Sequence, residues 1–138
     1  MSKCVLLVED EGLIRLTLAE TLEDAGYTVV EAGTGDEACE LLRTSERFDL
    51  LLTDIQMPGS ADGIDVARNF HERHPDRPVL FMTGRPDMLT RVGRLSSSEA
   101  LLRKPFGSKQ MLTALESLLL RSAHICATKR DPQPNTPR

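Results

Sequence analysis

Residues 48–59 read FDLLLTDIQMPG. Leu50, Leu51, Leu52 and Thr53 form a short apolar and β-favouring run between polar segments. Such a run predicts a strand covered on both faces, as in a parallel sheet. It leads straight into Asp54, and Met57-Pro58-Gly59 turns the chain three residues later. In an open parallel α/β sheet, ligands bind beyond the carboxyl ends of the strands. Asp54 therefore stands at the mouth of a buried strand, and the rest of the chain is read for what it brings there.

Upstream, Cys4 to Val8 is a second buried-strand candidate, followed at once by Glu9, Asp10 and Glu11. Ile14, Leu18, Leu22 and Ala25 recur at helical spacing and predict a helix stopped by Gly26. Tyr27 to Glu31 alternates and is β-branched, so it predicts a strand. Thr34-Gly35-Asp36-Glu37 has the form of a capping box and should open a helix through Ala38, Leu41 and Leu42. Downstream of Asp54, residues 62 to 74 predict a helix with Ile64, Ala67 and Phe70 inward, ended by Pro75. Pro78 to Met82 predicts a strand, and 87 to 94 a helix with a sparse apolar stripe. Glu99 to Arg103 predicts a fifth strand. Ser108 caps a last helix with Met111, Leu112, Leu115, Leu118 and Leu119 inward.

The strand–helix alternation occurs five times. It predicts a flavodoxin-like (βα)5 three-layer α/β fold with a parallel sheet in the order 2-1-3-4-5 and right-handed crossovers. A length of 138 residues suits one domain, expected over 1–123. Residues 124–138 are expected to be a tail, disordered from about 128, where three prolines and no large apolar residue occur.

Composition narrows the function. A formal net charge of −4, no Trp and one Tyr argue against a nucleic-acid binder. No apolar stretch approaches the ~20 residues that span a membrane, and no signal-peptide pattern is present. Cys4, Cys39 and Cys126 are far apart and odd in number, so a reduced, cytoplasmic chain is expected. His71 and His74 have no third ligand in view and read as an exposed helix end.

The residues that follow each apolar run carry the chemistry. They are Glu9 and Asp10, Asp54, Thr83, and Lys104. In the order 2-1-3-4-5 they meet on one edge of the sheet. Two carboxylates 4 Å apart, at an effective dielectric near 20, repel by on the order of 4 kcal/mol. A hard divalent cation such as Mg²⁺ relieves three of them. A cation, the Lys104 ammonium and the Thr83 hydroxyl around Asp54 also suit a phosphoryl group, with Asp54 as nucleophile. Taken singly, each residue reads as a turn, a helix start or a surface lysine. Taken together, in order, each at a strand end, they read as a site.

Glu9-Asp10, Asp54 with Met57-Pro58-Gly59, Thr83-Gly84 and Lys104-Pro105-Phe106 resemble the receiver domain of bacterial two-component response regulators, over about residues 3 to 122. The resemblance implies that Asp54 is phosphorylated by a histidine kinase or histidine phosphotransfer protein. It implies Mg²⁺ (or Mn²⁺) held by Glu9, Asp10, Asp54 and the backbone carbonyl of Gln56, and phosphoryl sensing by Thr83 and Lys104. It also implies that the Lys104–Pro105 bond is often cis. Many receivers carry Tyr or Phe three residues before the lysine; here that switch position is Leu101. Phe81-Met82-Thr83-Gly84 is similar to a Phe-Ala-Thr-Gly stretch in a subset of single-domain receivers that also lack this aromatic. In the family, contacts usually form on the face of the fourth helix, fifth strand and last helix, here with Arg91, Arg94, Leu101 and Arg103.

Three functions remain open. The first is a phosphorylation-switched signalling module, not an enzyme, with an unknown downstream protein and no output domain in its short C-terminal segment. It would be a monomer or a phosphorylation-dependent homodimer. The second is a Mg²⁺-dependent phosphatase with an Asp nucleophile, disfavoured because Gln56 stands where such enzymes place a second Asp. The third is a degenerate receiver that binds partners without being phosphorylated.

Overall fold

The computed structural model describes residues 2–44 and 47–130. Strands β1 (Cys4–Val8), β2 (Thr28–Ala32), β3 (Leu50–Asp54), β4 (Val79–Thr83) and β5 (Glu99–Arg103) alternate with helices α1 (Gly12–Asp24), α2 (Gly35–Thr44), α3 (Gly63–Arg73), α4 (Leu89–Val92) and α5 (Ser108–Arg130). The sheet order is β2-β1-β3-β4-β5, and each adjacent pair is parallel. This is the flavodoxin-like arrangement that the alternation predicts. No helix among the described residues is long and apolar enough to cross a membrane.

Side chains alternate along each strand, so the sheet has two apolar faces. Leu6, Val8, Leu51, Val79 and Phe81 lie in one layer with Ala38 and Leu42 of α2 and Val66, Ala67 and Phe70 of α3. Val5, Leu7, Leu50, Leu52, Leu80, Met82 and Leu102 lie in the other with Leu18, Ala19 and Leu22 of α1 and Met111, Leu115 and Leu118 of α5. β3 and β4 are buried along their whole length, which is why they read as unbroken apolar runs.

Local signals hold with informative differences. The Thr34 hydroxyl accepts from Glu37 N at 3.0 Å, while the Glu37 carboxylate accepts from Gly33 N at 2.8 Å. The α2 box therefore closes one residue early. Asp62 and Asp65 complete a full capping box, so Asp62 is the N-cap and α3 itself begins one residue later, at Gly63. The inward residues of α3 are Val66, Ala67 and Phe70, with Ile64 only half-buried. The fourth helix is much shorter than residues 87–94 suggest: a 3-10 turn over Pro86–Met88 leads into α4, and Gly93 ends it at φ +72°. Few apolar residues anchor this segment to the core, so packing does not extend it. At the other extreme, α5 continues to Arg130, past both 124 and 128, where a tail was expected; residues 131–138 lie outside the described residues.

One close approach fixes the chain just beyond Asp54. Gly63 opens α3, and its N–H donates to Ile55 O at 2.8 Å. A Cβ on Gly63 would stand 2.0 Å from the Asp54 carbonyl oxygen and 2.8 Å from Ile55 Cα. Both neighbours are backbone and cannot yield. Gly63→Ala is therefore expected to destabilise the domain by roughly 2 kcal/mol or more, read as a fall of several degrees in Tm. An unchanged Tm would show that α3 sits less tightly against β3.

Candidate functional site

Register brings the strand ends together. Val8 pairs with Thr53, so Glu9 and Asp10 come alongside Asp54. Asp54 pairs with Met82, and Thr83 with Arg103, so Thr83 and Lys104 follow on the same rim. Lys104 N donates to Thr83 O at 2.8 Å and carries the ladder one step further. The Lys104–Pro105 peptide is cis, as the resemblance implies.

Parity then sorts the side chains. Glu9 continues the Val5, Leu7 series, Asp54 the Leu50, Leu52 series and Lys104 the Ala100, Leu102 series. All three fall on the α1–α5 face. The Lys104 ammonium donates to Glu9 Oε1 at 2.8 Å and to Asp54 Oδ2 at 3.0 Å. Glu9 is 1% exposed and Asp54 9%, so two nearly buried carboxylates share one ammonium. Asp10 adds a third: one oxygen from each of Glu9, Asp10 and Asp54 lies within 4.8 Å of the others.

The electrostatics follow from that crowding. Burial pushes the Asp54 carboxyl above its ordinary value; the Lys104 hydrogen bond and charge pull it down, and Asp10 pushes it up again. Glu9 is raised for the same first reason, burial, against the pull of Lys104 and the Glu11 N–H. Burial disfavours the Lys104 ammonium, but its bonds to Glu9 and Asp54 outweigh that and raise its pKa. One lysine cannot balance three acids. The donor set, hard oxygens converging from two adjacent strands, fits a divalent cation of the Mg²⁺ type.

Thr83 behaves differently. Its strand parity follows Val79 and Phe81, on the α2–α3 face. The hydroxyl donates to Arg85 O at 3.1 Å and accepts from Arg85 N at 3.0 Å. Thr83 thus reaches the rim, but its hydroxyl is engaged by the following loop. Gln56 lies in the β3–α3 loop, exposed, and its side-chain Oε1 accepts from Arg85 Nη1 at 2.8 Å. Leu101 is half-buried on the α2–α3 face and pairs in register with Phe81 of β4. The aromatic ring at this level therefore belongs to the neighbouring strand.

Several supporting residues were not foreseen. Arg15 of α1 donates to Glu9 O at 2.7 Å and pairs with Glu31 at 3.2 Å, which pins the loop carrying Glu9 and Asp10. Asp36 of α2 accepts from Ser60 Oγ at 2.6 Å and Ser60 N at 3.3 Å; these bonds hold its carboxyl below the usual range. It anchors the loop that carries Gln56. Gly59, at φ +106°, lets that loop pass beside it. Arg91 pairs with Asp62 at the start of α3 while its side chain stays exposed. His71 and His74 are half-buried, not exposed: His71 Nε2 lies 3.2 Å from Arg77 O, and His74 packs on Phe70.

A five-stranded, doubly wound sheet with an acid–lysine cluster at its carboxyl rim defines a class of signalling domain, and comparison with known proteins agrees. The model of the response regulator receiver domain matches residues 5–116, and the chain belongs to that family, the receivers of two-component systems. It is 36% identical over 123 residues to the response regulator MprA of Mycobacterium ulcerans, covering 88% of this chain and 52% of that protein. It thus spans about half the length of MprA. It is 38% identical over 119 residues to the response regulator receiver protein CpdR of Brucella abortus, covering 86% of this chain and 98% of CpdR. A response regulator receiver protein from Sinorhizobium medicae superposes with a TM-score of 0.81 at 32% identity, over 88% of this chain and 97% of that one.

The raised carboxyls have a thermodynamic consequence. A carboxyl whose pKa is higher folded than unfolded favours the fold below the ordinary Asp range, and that advantage is lost as pH rises through the folded value. In metal-free protein at pH 7, Asp54→Asn is therefore expected to stabilise by on the order of 1 kcal/mol, a few degrees in Tm. The gain should shrink as pH falls toward about 4 and Asp54 itself protonates. A lower Tm for the variant at pH 7 without metal would contradict crowding of the acids.

Proposed function

We propose that Asp54 accepts a phosphoryl group from a phosphohistidine on a histidine kinase or histidine phosphotransfer protein. Mg²⁺ or Mn²⁺ is held by Glu9, Asp10, Asp54 and the Gln56 backbone carbonyl. The observation that carries this reading is the Lys104 ammonium, bonded at once to Asp54 and Glu9 beside a third acid. When bound, the cation supplies positive charge that offsets the acids and the phosphoryl oxygens.

A carboxylate oxygen of Asp54 forms the new O–P bond as the P–N bond breaks, and the P–N electron pair stays on the donor imidazole. Lys104 favours the ionised form of Asp54 and then meets the phosphoryl oxygens. Chemistry of this kind needs position and charge more than proton transfer. The donor reaches Asp54 along an apolar groove of about 440 Å³ on the same α1–α5 face, lined by Leu13, Ile14, Leu18, Pro105 and Phe106 and running to Lys104. Leu13, 78% exposed, is its free edge and suits the apolar side of a donor helix.

Signalling follows from Thr83. To donate to a phosphoryl oxygen, its hydroxyl must leave Arg85 O. Arg85 also holds Gln56 and pairs with Asp87 at 3.0 Å in the turn before α4. Release therefore shifts the population of loop arrangements ahead of a helix only four residues long. Leu101 and Phe81 sense that shift through packing, without an aromatic on β5. The output is protein contact, through a face with Arg94, Leu101 and Arg103, or relay to another histidine. The domain works in the cytoplasm as a monomer or phosphorylation-dependent homodimer, and as a switch more than as a turnover enzyme.

Intact-mass measurement tests this reading. The full chain with Mg²⁺ and phosphoramidate is expected to gain one phosphoryl mass. Asp54→Asn should lose the label, and Lys104→Met should slow it at least ~10-fold. Leu13→Glu should keep phosphoramidate labelling but slow transfer from a phosphorylated histidine kinase that labels the wild type. Equal labelling of Asp54→Asn would place the acceptor elsewhere. No label where a control receiver is modified would favour an unphosphorylated binding module, and sustained phosphoester turnover a phosphatase.

A further inference from the structure

The end of the sheet opposite Asp54 carries the other sign of charge. Lys3 precedes β1, Arg47 and Asp49 precede β3, and Arg77 and Pro78 precede β4. With Leu119 and Ser122 of α5 they line a pocket of about 210 Å³. Three cations and one carboxylate thus gather at one place in a chain whose formal net charge is −4.

Asp49 is committed elsewhere. Its Oδ2 accepts from Cys4 N at 2.8 Å and its Oδ1 from Arg77 Nη1 at 2.8 Å. Arg77 Nη1 also donates to Phe48 O at 3.0 Å. Both of these bonds leave from Nη1, so Arg77 is held in place, and among the described residues the rest of its guanidinium fork makes no hydrogen bond. Lys3 and Arg47 are exposed and have no ion-pair partner among the described residues. Asp76 stands beside Arg77, and its carbonyl accepts the Ser122 hydroxyl at 2.7 Å. His74, at the end of α3, feels the same field: burial first, then Arg77, Arg47 and Arg73, hold its pKa below the ordinary value, and Asp49 opposes them.

We propose that this pocket binds a phosphate group, either the free ion or the monoester of a small organic molecule. An arginine fixed by a carboxylate presents its remaining N–H groups with little further ordering cost, and its planar fork matches phosphate oxygens. Lys3 and Arg47 add charge from two other chain segments, with no ion-pair partner among the described residues. With three cations against the single Asp49 carboxylate, the lining carries a net positive charge that attracts anions. The volume exceeds what a phosphate alone fills, and Leu119 with Pro78 offers an apolar wall for an organic body. The site is separate from the Asp54 rim, so its occupation does not depend on phosphorylation chemistry.

The test is a titration of the metal-free full chain, followed by amide NMR shifts, with inorganic phosphate in one arm and glycerol phosphate in the other. Sodium chloride at matched ionic strength is the control. Saturable shifts are expected at residues 3–4, 47–49, 77 and 119–122. The double variant Lys3→Ala, Arg47→Ala, whose side chains are exposed, should keep the wild-type spectrum elsewhere and lose at least ~10-fold in affinity, a loss of about 1.4 kcal/mol or more. Tighter binding of glycerol phosphate assigns the pocket to a monoester, and tighter binding of phosphate to the free ion; either supports the site. Shifts matched by chloride, non-saturating shifts, or unchanged affinity in the double variant would overturn it.

Discussion

A single ammonium, that of Lys104, spans two nearly buried carboxylates from two other strands, and a third acid stands within reach. The arrangement is electrostatically incomplete. Lys104 lowers the cost of burying Glu9 and Asp54 but does not remove it, because both acids remain raised by burial. A folded domain keeps such a cluster only against its own stability, which is the usual signature of a group held ready for a ligand. The remaining architecture can be understood as what it takes to hold three acids and one lysine in this relation.

The parallel sheet does most of that. Placing β1 next to β3, and β4 between β3 and β5, brings every strand's carboxyl end to one rim. Register puts Glu9, Asp54 and Lys104 one step past or at the last ladder pair, and alternation turns all three to the α1–α5 face. The loops then need anchors of their own. Arg15 pins the carbonyl of Glu9, Asp36 grips the β3–α3 loop, and Gly63 lets α3 close against β3. The far rim shows the complementary pattern, where Asp49 fixes Arg77 and basic residues from separate segments meet.

How much of this could be read from residues alone follows a physical divide. Strand ends were legible because buried parallel strands leave unbroken apolar runs, so Asp54 and Glu9-Asp10 announced themselves as the first polar residues after them. Strand order followed from the alternation, and convergence of the acids with Lys104 followed from strand order. The hydrogen-bond partners of Thr83 and Gln56 were not legible. Arg85 lies 29 residues from Gln56, and nothing local marks the pairing. A basic residue two positions after Thr83 was the only hint, and it reads equally well as a surface arginine. The pairing of Arg91 with Asp62 was likewise not legible, because the two are distant in sequence. The length of α5 was missed for another reason: helix propagation beyond the core depends on local propensity, and the proline-rich composition drew the boundary too early.

The central claim is that Glu9, Asp10 and Asp54 form one oxygen-lined cation site at the rim they share with Lys104. Titration of the protein with Mn²⁺, followed by paramagnetic broadening of amide NMR signals, tests it most directly. The account predicts selective broadening at residues 9–11, 54–57 and 83–85 at low metal concentration, reversed by excess Mg²⁺ and abolished in a Glu9→Gln, Asp10→Asn variant. Broadening centred on other acidic surfaces, or uniform weak broadening that the double variant leaves unchanged, would contradict it.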